Sequence, residues 1–282
     1  MDTAKLKEWI GKSTESQDEI TAFPVKALCA TLDREDPAPV RGDALPPLWH
    51  WLYFLPLHRQ SELGVDGHAN RGGFLPPVPL PRRMWAGGRL RFHQPLRVGD
   101  AVSKTSTILD VNAKTGRTGS LAFVTVEHRY SGPQGLTVTE EHDIVYREQA
   151  APGAAAPEPV AARTDEDWSR DIVPDPVLLF RFSALTFNGH RIHYDHEYVT
   201  TVEHYPDLIV HGPLLAVLLL DLVRRNLPDA TVSSFSFKGV RPTHVPQRFQ
   251  ACGKVSEDGK TVALWIRQAD GALAMTATAE LG

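Results

Sequence analysis

The sequence predicts an α+β fold built from two copies of one unit, and three observations lead to this prediction. An Ala/Pro-rich stretch at residues 150–163 divides the chain into two parts. Each part contains an apolar segment that begins at proline, which suits the first turn of a helix. After this segment, each part has four strand-like segments with no helix between them, which predicts an antiparallel sheet.

The helix of the second part has the clearest pattern. Pro213 fits the first helical turn, and Arg224 and Arg225 fit the last turn, where the helix dipole favours cations. In the first part, Pro46-Pro47 precedes the apolar segment LWHWLYFLP and predicts a second long buried helix that ends at Pro56. The apolar residues of the second-part helix recur at helical spacing and are Leu214, Leu215, Leu218, Leu219 and Leu222.

The predicted strands alternate with short glycine-containing turns that are typical of hairpins, at residues 116–119, 132–135, 258–259 and 270–271. A single buried helix wrapped by a curved antiparallel sheet is the hot dog architecture, so the chain is predicted to be a double hot dog. We expect a first repeat at 1–149, a linker at 150–165 and a second repeat at 166–282. The strand-like segments are 88–93, 100–111, 120–130 and 136–147, then 233–239, 248–255, 261–268 and 272–281.

Composition excludes several classes of protein. The 282 residues carry a formal net charge of −4, which argues against a basic nucleic-acid binder. Only two cysteines occur, which excludes a disulfide framework and a Cys-rich zinc site and fits a reducing compartment. No apolar run approaches the ~20 residues that span a bilayer. We therefore expect a cytoplasmic protein that binds neither nucleic acid nor membrane.

The densest cluster of chemically active side chains follows the linker. Within eight residues it contains two imidazoles, His190 and His193, and the polar side chains of Asn188, Arg191 and Asp195. The Asn-Gly pair predicts a turn, so these side chains are presented on a bend. The spacing matches no standard zinc signature, and carboxylates and imidazoles also transfer protons, so no metal is expected.

The segment FSALTFNGHRIHYD resembles the signature of the hydroxyacyl-thioester dehydratase type 2 group, within the MaoC-like enoyl-CoA hydratases. The segments LKEWIGKS, ALCATLD and LPPLWHWLYFLP resemble the first repeat of the same group. The resemblance covers nearly the whole chain and is strongest to 3-methylfumaryl-CoA (mesaconyl-C4-CoA) hydratases. It implies a hydro-lyase that adds water to an α,β-unsaturated acyl-CoA. It implies no cofactor beyond the CoA of the substrate, and it implies a homodimer.

The family motif implies roles for particular side chains. MaoC-type hydratases carry Asp-x-Asn-Pro-x-His, in which Asp and His activate one water molecule. His193 matches the catalytic His, and Asn188 matches the Asn and is expected to orient the water. Thr186 stands at the Asp position, and the spacing is two residues longer than in the motif. The partner of His193 is therefore open, with Asp195 and His190 as the candidates.

The start of the second-part helix supplies the expected oxyanion site. Family members place a glycine there, and Gly212 after His211 matches it. A helix N-terminus offers unpaired N–H groups and positive potential to a developing enolate oxygen. Because Pro213 has no N–H, Gly212 and Leu214 are the expected donors.

Arginines are the candidates for holding the anionic parts of the substrate. Arg191 lies inside the motif, and Arg241 occupies a strand end where family members often have arginine. A substrate with a free carboxylate also needs a cation, which Arg82, Arg83 or Arg191 could supply. The first part has no matching histidine, so it is expected to be non-catalytic and to accommodate the acyl group or act as a scaffold. Trp49, Trp51, Tyr53 and Phe54 could line that pocket, although aromatic residues on a helix more often belong to the core.

Three alternatives stay open at this point. The chain could be a (3R)-hydroxyacyl-thioester dehydratase of fatty acid metabolism. It could be a hot dog thioesterase, since fold alone does not fix the reaction, and Asp221 is the only acidic residue on the second-part helix. It could also be a non-catalytic thioester-binding protein. The sequence does not choose between CoA and acyl carrier protein, nor fix the acyl group or the direction of reaction. Monomer and dimer are both plausible, because a double hot dog already pairs two units within one chain.

Overall fold

The computed structural model describes residues 3–70, 72–116, 119–148 and 158–282. The first half combines short helices at one end with four long strands at the other. Between them, two short 3-10 turns lie at Trp49–Leu52 and Gln60–Glu62. Its helices and strands are α1 (Thr3–Lys7), β1 (Ser13–Glu19), α2 (Ala22–Thr31), β2 (Arg82–Phe92), β3 (Ala101–Gly116), β4 (Gly119–Gly132) and β5 (Gly135–Arg147).

The second half has the same succession of strands around one long helix. A 3-10 turn at Arg191–His193 lies between its first two helices. Its helices and strands are β6 (Trp168–Ile172), α3 (Pro176–Thr186), α4 (His196–Thr201), α5 (Gly212–Asn226), β7 (Val232–Gly239), β8 (Phe249–Val255), β9 (Thr261–Gln268) and β10 (Leu273–Leu281).

All strands form one ten-stranded antiparallel sheet in the order β1-β3-β4-β5-β2-β7-β10-β9-β8-β6. From its edge to the centre of the sheet, the first half has the order β1-β3-β4-β5-β2, and the second half has the corresponding order β6-β8-β9-β10-β7. The halves join where β2 pairs with β7, for example at Gly88 and Phe237. The loops before the helices also correspond, because Val98 N–H binds the Asp43 carbonyl and Val245 N–H binds the Leu208 carbonyl. The double hot dog prediction is confirmed.

The eight predicted strands are all present, with ends that differ by a few residues. The two edge strands, β1 and β6, were not predicted. Their sequences, STESQDE and WSRDI, are short or polar and show no alternation of apolar and polar residues. The tip of the predicted 116–119 turn lies outside the described residues. Among the described residues, no helix is long and apolar enough to cross a membrane.

Helix α5 is the centre of the second half, as predicted. Every residue from Leu214 to Val223 is buried, and the helix packs on β6, β8, β9 and β10. Asp221 is the one carboxylate in this buried stretch. Its oxygens accept hydrogen bonds from Arg34 Nη1 at 2.6 Å, Arg170 Nη1 at 2.8 Å and Arg225 Nε at 2.6 Å. Because Arg34 belongs to the first half, this ion cluster ties the two halves together.

The prediction of a long helix in the first half is wrong. The segment after Pro46-Pro47 forms only the 3-10 turn Trp49–Leu52. Leu48 has the left-handed φ of 70°, which interrupts a right-handed helix immediately after the prolines. The side chains of His50 and Trp51 bind the buried Glu140 of β5 at 3.0 and 2.8 Å. The segment that was expected to form a continuous apolar helix therefore binds a buried carboxylate instead.

The predicted linker at 150–165 is only partly described, because residues 150–157 lie outside the described ranges. The remainder is held against the second half. Leu273 N–H binds the Val160 carbonyl at 2.7 Å, and Ala162 N–H binds the Gly271 carbonyl at 2.9 Å. From residue 160 onward the chain therefore already packs on the start of β10.

Replacing Asp221 tests the ion cluster that joins the halves. We expect Asp221→Asn to lower the free energy of unfolding by about 3 kcal/mol or more, since removing one partner leaves buried charges uncompensated. Denaturant unfolding followed by circular dichroism measures the change. Asp165→Asn removes an exposed carboxylate that also contacts two cations, Arg163 and Lys254, and should leave the midpoint unchanged. Equal effects in the two variants would contradict the assignment.

Candidate active site

The candidate site lies where the loop after α3 meets the start of α5. Asp175 caps the start of α3 by accepting a hydrogen bond from Leu178 N–H at 2.7 Å. The helix ends at Phe187, whose left-handed φ of 49° turns the chain, and Asn188 N–H closes the end on the Ser183 carbonyl. The turn directs residues 188–195 across the N-terminus of α5.

His193 has the geometry of a general base. The residue is 7% exposed, and Nδ1 donates a hydrogen bond to the Ile209 carbonyl at 2.6 Å. Burial, with a smaller contribution from the neighbouring His190, lowers the pKa of His193 to about 3. The ring is therefore neutral near pH 7, and since Nδ1 carries the hydrogen, Nε2 carries the lone pair.

The ring of His211 stacks on the ring of His193 and packs it in place. The two rings stack with centroids 3.6 Å apart and an interplanar angle of 18°. Nε2 of His211 shares a hydrogen bond of 2.8 Å with Ser183 Oγ, and the buried Nδ1 has no partner among the described residues. Burial and the nearby His193 hold the pKa of His211 well below its ordinary value. Two neutral rings can stack this closely without charge repulsion.

Gly212 is the first residue of α5, as predicted. The first-turn N–H groups of a helix have no intrahelical partner, so those of Gly212 and Leu214 are available to an oxyanion. A Cβ placed on Gly212 would meet no atom within 4 Å, so open space lies beside this helix end. Leu214 is fully buried and contributes its backbone rather than its side chain.

Four of the other predicted residues hold the loop in shape. Asn188 Oδ1 accepts from His190 N–H at 3.0 Å, and Thr186 Oγ1 donates to the Phe182 carbonyl at 2.7 Å. Asp195 caps α4 and pairs with Arg191 at 2.8 Å. Hydrogen bonds from Tyr198 N–H and from Arg191 lower the pKa of Asp195. Asp195 thus contacts these two residues and not His193.

The arginines differ in their availability. Arg241 pairs with Asp270 at 2.6 Å on the surface, and Arg82 pairs with Glu203 at 3.2 Å. Arg191 is bound to Asp195 and to the Val65 carbonyl. Arg83 makes no ion pair with another described residue, and its charge contributes to lowering the pKa of His190. Of these four arginines, Arg83 is therefore the one that is close to the site and makes no ion pair within the described part of the chain.

The prediction placed all catalytic residues in the second half, but the structure also brings a first-half loop to them. Nδ1 of His68 lies 3.0 Å from Asp66 Oδ2, and the His68 ring lies 4.0 Å from the His190 ring. The donor atoms of these three side chains lie within 4.8 Å of one another, a grouping that could also bind a metal ion. In the sequence, Asp66-Gly67-His68 is typical of a turn, but nothing in it indicates a contact with His190.

Gly67 is the point where the two loops touch. A Cβ on Gly67 would lie 1.8 Å from the Gly189 carbonyl oxygen, and the φ of Gly67 is +86°. Arg191 N–H also binds the Asp66 carbonyl at 2.9 Å. Only glycine permits this close approach of one backbone to the other.

Comparisons with known proteins agree with this architecture. The family model for hydroxyacyl-thioester dehydratase type 2 matches residues 48–245. A mesaconyl-C(4)-CoA hydratase from Chloroflexus aurantiacus is 47% identical over 283 residues, covering 100% of both chains. A mitochondrial hydroxyacyl-thioester dehydratase type 2 from Schizosaccharomyces pombe is 29% identical and covers 89% of this chain and 91% of its own.

Solved structures share the fold at low sequence identity. A MaoC-like dehydratase superimposes with a TM-score of 0.71 at 14% identity, covering 96% of this chain and 98% of its own. A Mycobacterium tuberculosis protein described as having a double hotdog fold gives 0.58 at 15% identity, covering 97% and 96%.

The fold and the relatives together define a hydro-lyase of the MaoC-like class, an enzyme that adds or removes water. The chain belongs to the hydroxyacyl-thioester dehydratase type 2 family.

Gly67→Ala tests the contact between the loops. Both Gly67→Ala and the control Gly42→Ala force alanine into a left-handed conformation, at a cost of ~1–2 kcal/mol. A Cβ on Gly42 meets no atom within 4 Å, so the additional clash is specific to Gly67. We expect Gly67→Ala to lose both stability and turnover beyond the control. Indistinguishable variants in thermal unfolding and steady-state kinetics would show that the loops are not held together.

Proposed function

We propose that the protein hydrates mesaconyl-C4-CoA (3-methylfumaryl-CoA) to citramalyl-CoA. The full-length relative that is 47% identical and is named for this substrate carries the proposal. The site geometry is consistent with it, because a neutral imidazole lies beside the N-terminus of a buried helix.

The two ends of the site have complementary tasks. His193 Nε2 takes a proton from water while the water oxygen attacks Cβ of the unsaturated acyl group. Negative charge then develops on the thioester oxygen. The N–H groups of Gly212 and Leu214 stabilise it at the positive end of α5. Burial of His193 matters here because an imidazolium could not accept the proton.

The free carboxylate of this substrate requires a cation. Among the candidates, Arg82 and Arg191 are engaged by Glu203 and Asp195, while Arg83 is unpaired among the described residues and lies close to His190. Arg83 is therefore the proposed carboxylate partner.

The (3R)-hydroxyacyl-thioester dehydratase reading uses the same chemistry in reverse, and the Schizosaccharomyces pombe relative favours it as the second candidate. The thioesterase reading is weaker, because the buried Asp221 carboxylate is bound to three arginines. Hydration without release of free thiol separates both hydratase readings from hydrolysis.

We further infer a cytoplasmic homodimer. Two buried free cysteines suit a reducing compartment, and the family resemblance implies the dimer. Cell fractionation and analytical ultracentrifugation test the two inferences separately.

His193→Ala tests the general base. We expect the turnover number to fall by about 10²–10⁴-fold, because proton abstraction from water is lost, while the saturated analogue methylsuccinyl-CoA still binds. Spectrophotometric loss of the conjugated double bond measures turnover, and calorimetry measures binding. His196→Ala removes an exposed imidazole three residues away and serves as the control. Near wild-type turnover in His193→Ala would reject the assignment.

Arg83→Gln tests the carboxylate partner. We expect KM for mesaconyl-C4-CoA to rise about tenfold or more, since a hydrogen bond to a charged group is worth ~1.5–3 kcal/mol. KM for crotonyl-CoA, which has no carboxylate, should stay the same. Arg91→Gln, on the same strand, is the matched control. A parallel rise for both substrates would instead indicate a general structural effect.

A further inference from the structure

Hydration needs two proton transfers, and the groups assigned so far perform one. His193 removes a proton from water, but Cα must also receive a proton. In the second half, Thr186 is bound to its own helix and Asp195 is bound to Arg191 and Tyr198. Neither is directed at His193. A separate proton donor from the first half would complete the reaction.

The first-half loop offers a second imidazole with the opposite electrostatic setting. Nδ1 of His193 faces a neutral carbonyl, whereas Nδ1 of His68 faces the Asp66 carboxylate at 3.0 Å. A carboxylate balances the charge of an imidazole that carries a second proton, whereas a carbonyl offers only a dipole. Nε2 of neither ring makes a hydrogen bond with another described residue. One ring is thus set up to accept a proton and the other to donate one.

His190 connects the two imidazoles. Its ring centroid lies 4.0 Å from that of His68 and 5.5 Å from that of His193. Burial lowers the pKa of His190 to about 3, so its ring is neutral and adds no competing charge. The side chain of His68 is 26% exposed, which leaves it accessible to a ligand.

The loop that carries His68 is held in place by several contacts. Arg191 binds two of its carbonyls, those of Val65 and Asp66. His68 N–H donates to Asp66 Oδ1 at 3.0 Å, which closes a tight turn. Hydrogen bonds and charge from His68 outweigh burial and hold the pKa of Asp66 below its ordinary value, so Asp66 stays ionised. The carboxylate is thereby fixed as the orienting partner of His68.

We propose that His68 delivers the proton to Cα and that Asp66 is its positioning residue. This inference rests on the proposed function. The active site is then shared between the halves, with the base in the second and the acid in the first.

The proton and electron balance is complete with water as the only co-reactant. The O–H bond of water breaks, its proton moves to His193 Nε2, and its oxygen bonds to Cβ. The π electrons of the Cα–Cβ bond move to the thioester oxygen. As they return, Cα bonds to the proton of His68 Nε2, and the N–H electron pair stays on that nitrogen. One proton lost from His193 and one gained by His68 restore both rings.

Replacement of His68 in the full chain tests the proposal. We expect His68→Gln to lower kcat by about 10²–10³-fold with KM nearly unchanged, because a proton donor is lost and no substrate anchor is removed. Product citramalyl-CoA incubated in heavy water should exchange its Cα hydrogen much more slowly than with the wild type. The control is His58→Gln, an exposed imidazole of the same segment. A kcat equal to the control, or a change confined to KM, overturns the proposal.

Two further variants separate positioning from structure. Asp66→Asn should lower kcat, and Asp66→Glu should recover part of it. Soluble imidazole should restore turnover to His68→Ala but not to His193→Ala, since the His68 side chain is 26% exposed whereas His193 is 7% exposed. If chelation abolishes wild-type activity and Zn²⁺ restores it, the three-residue cluster is a metal site and the proposal fails.

The substrate assignment is tested independently. Each variant is also assayed with crotonyl-CoA. Wild-type hydration of crotonyl-CoA alone would reject mesaconyl-C4-CoA as substrate, while the loss of crotonyl-CoA turnover in His68→Gln would still support the proton donor.

Discussion

The pairing of β2 with β7 is the contact on which the rest of the structure depends. It converts two five-stranded repeats into one sheet and fixes the first half at a set position relative to α5. The seam is closed by glycine, because a Cβ on Gly87 would lie 2.5 Å from the Phe237 carbonyl oxygen and a Cβ on Gly88 would lie 3.0 Å from the Phe237 ring. Only with the halves in this register can the loop carrying His68 reach the loop carrying His190.

The two halves share a sheet order but differ in what they place against it. The second half buries an apolar helix, whereas the first half buries Glu140 with His50, Trp51 and His142 around it. Burial acts to raise the pKa of Glu140, but the charge and hydrogen bonds of His142 and His50 outweigh it and hold the pKa well below its usual range. An ionised carboxylate in the core must be fully bonded, and the segment that was predicted to form a helix supplies two of those bonds through His50 and Trp51.

Periodicity and turn residues were sufficient to predict eight strands and α5, because their patterns are local. The two edge strands were missed because polar side chains suit an exposed edge and leave no alternation to detect. In the site, His193 and Gly212 follow from a motif and a helix start. The Asp66–His68 pair does not, since 122 positions separate His68 from His190 and nothing in either segment specifies the contact. Gly67 permits the contact because it has no Cβ, but in the sequence it cannot be distinguished from the other glycines that form turns.

Keeping the base neutral has a consequence for the stability of the fold. The pKa values of His193 and His190 fall from 6.5 to about 3 on folding. Between these two pH values, the unfolded chain binds protons at these histidines that the folded chain does not bind. Their neutral forms are accommodated without penalty above pH 6.5, and stability is lost as the pH falls from there toward 3. The same burial that leaves a lone pair on His193 Nε2 therefore makes the site sensitive to acid.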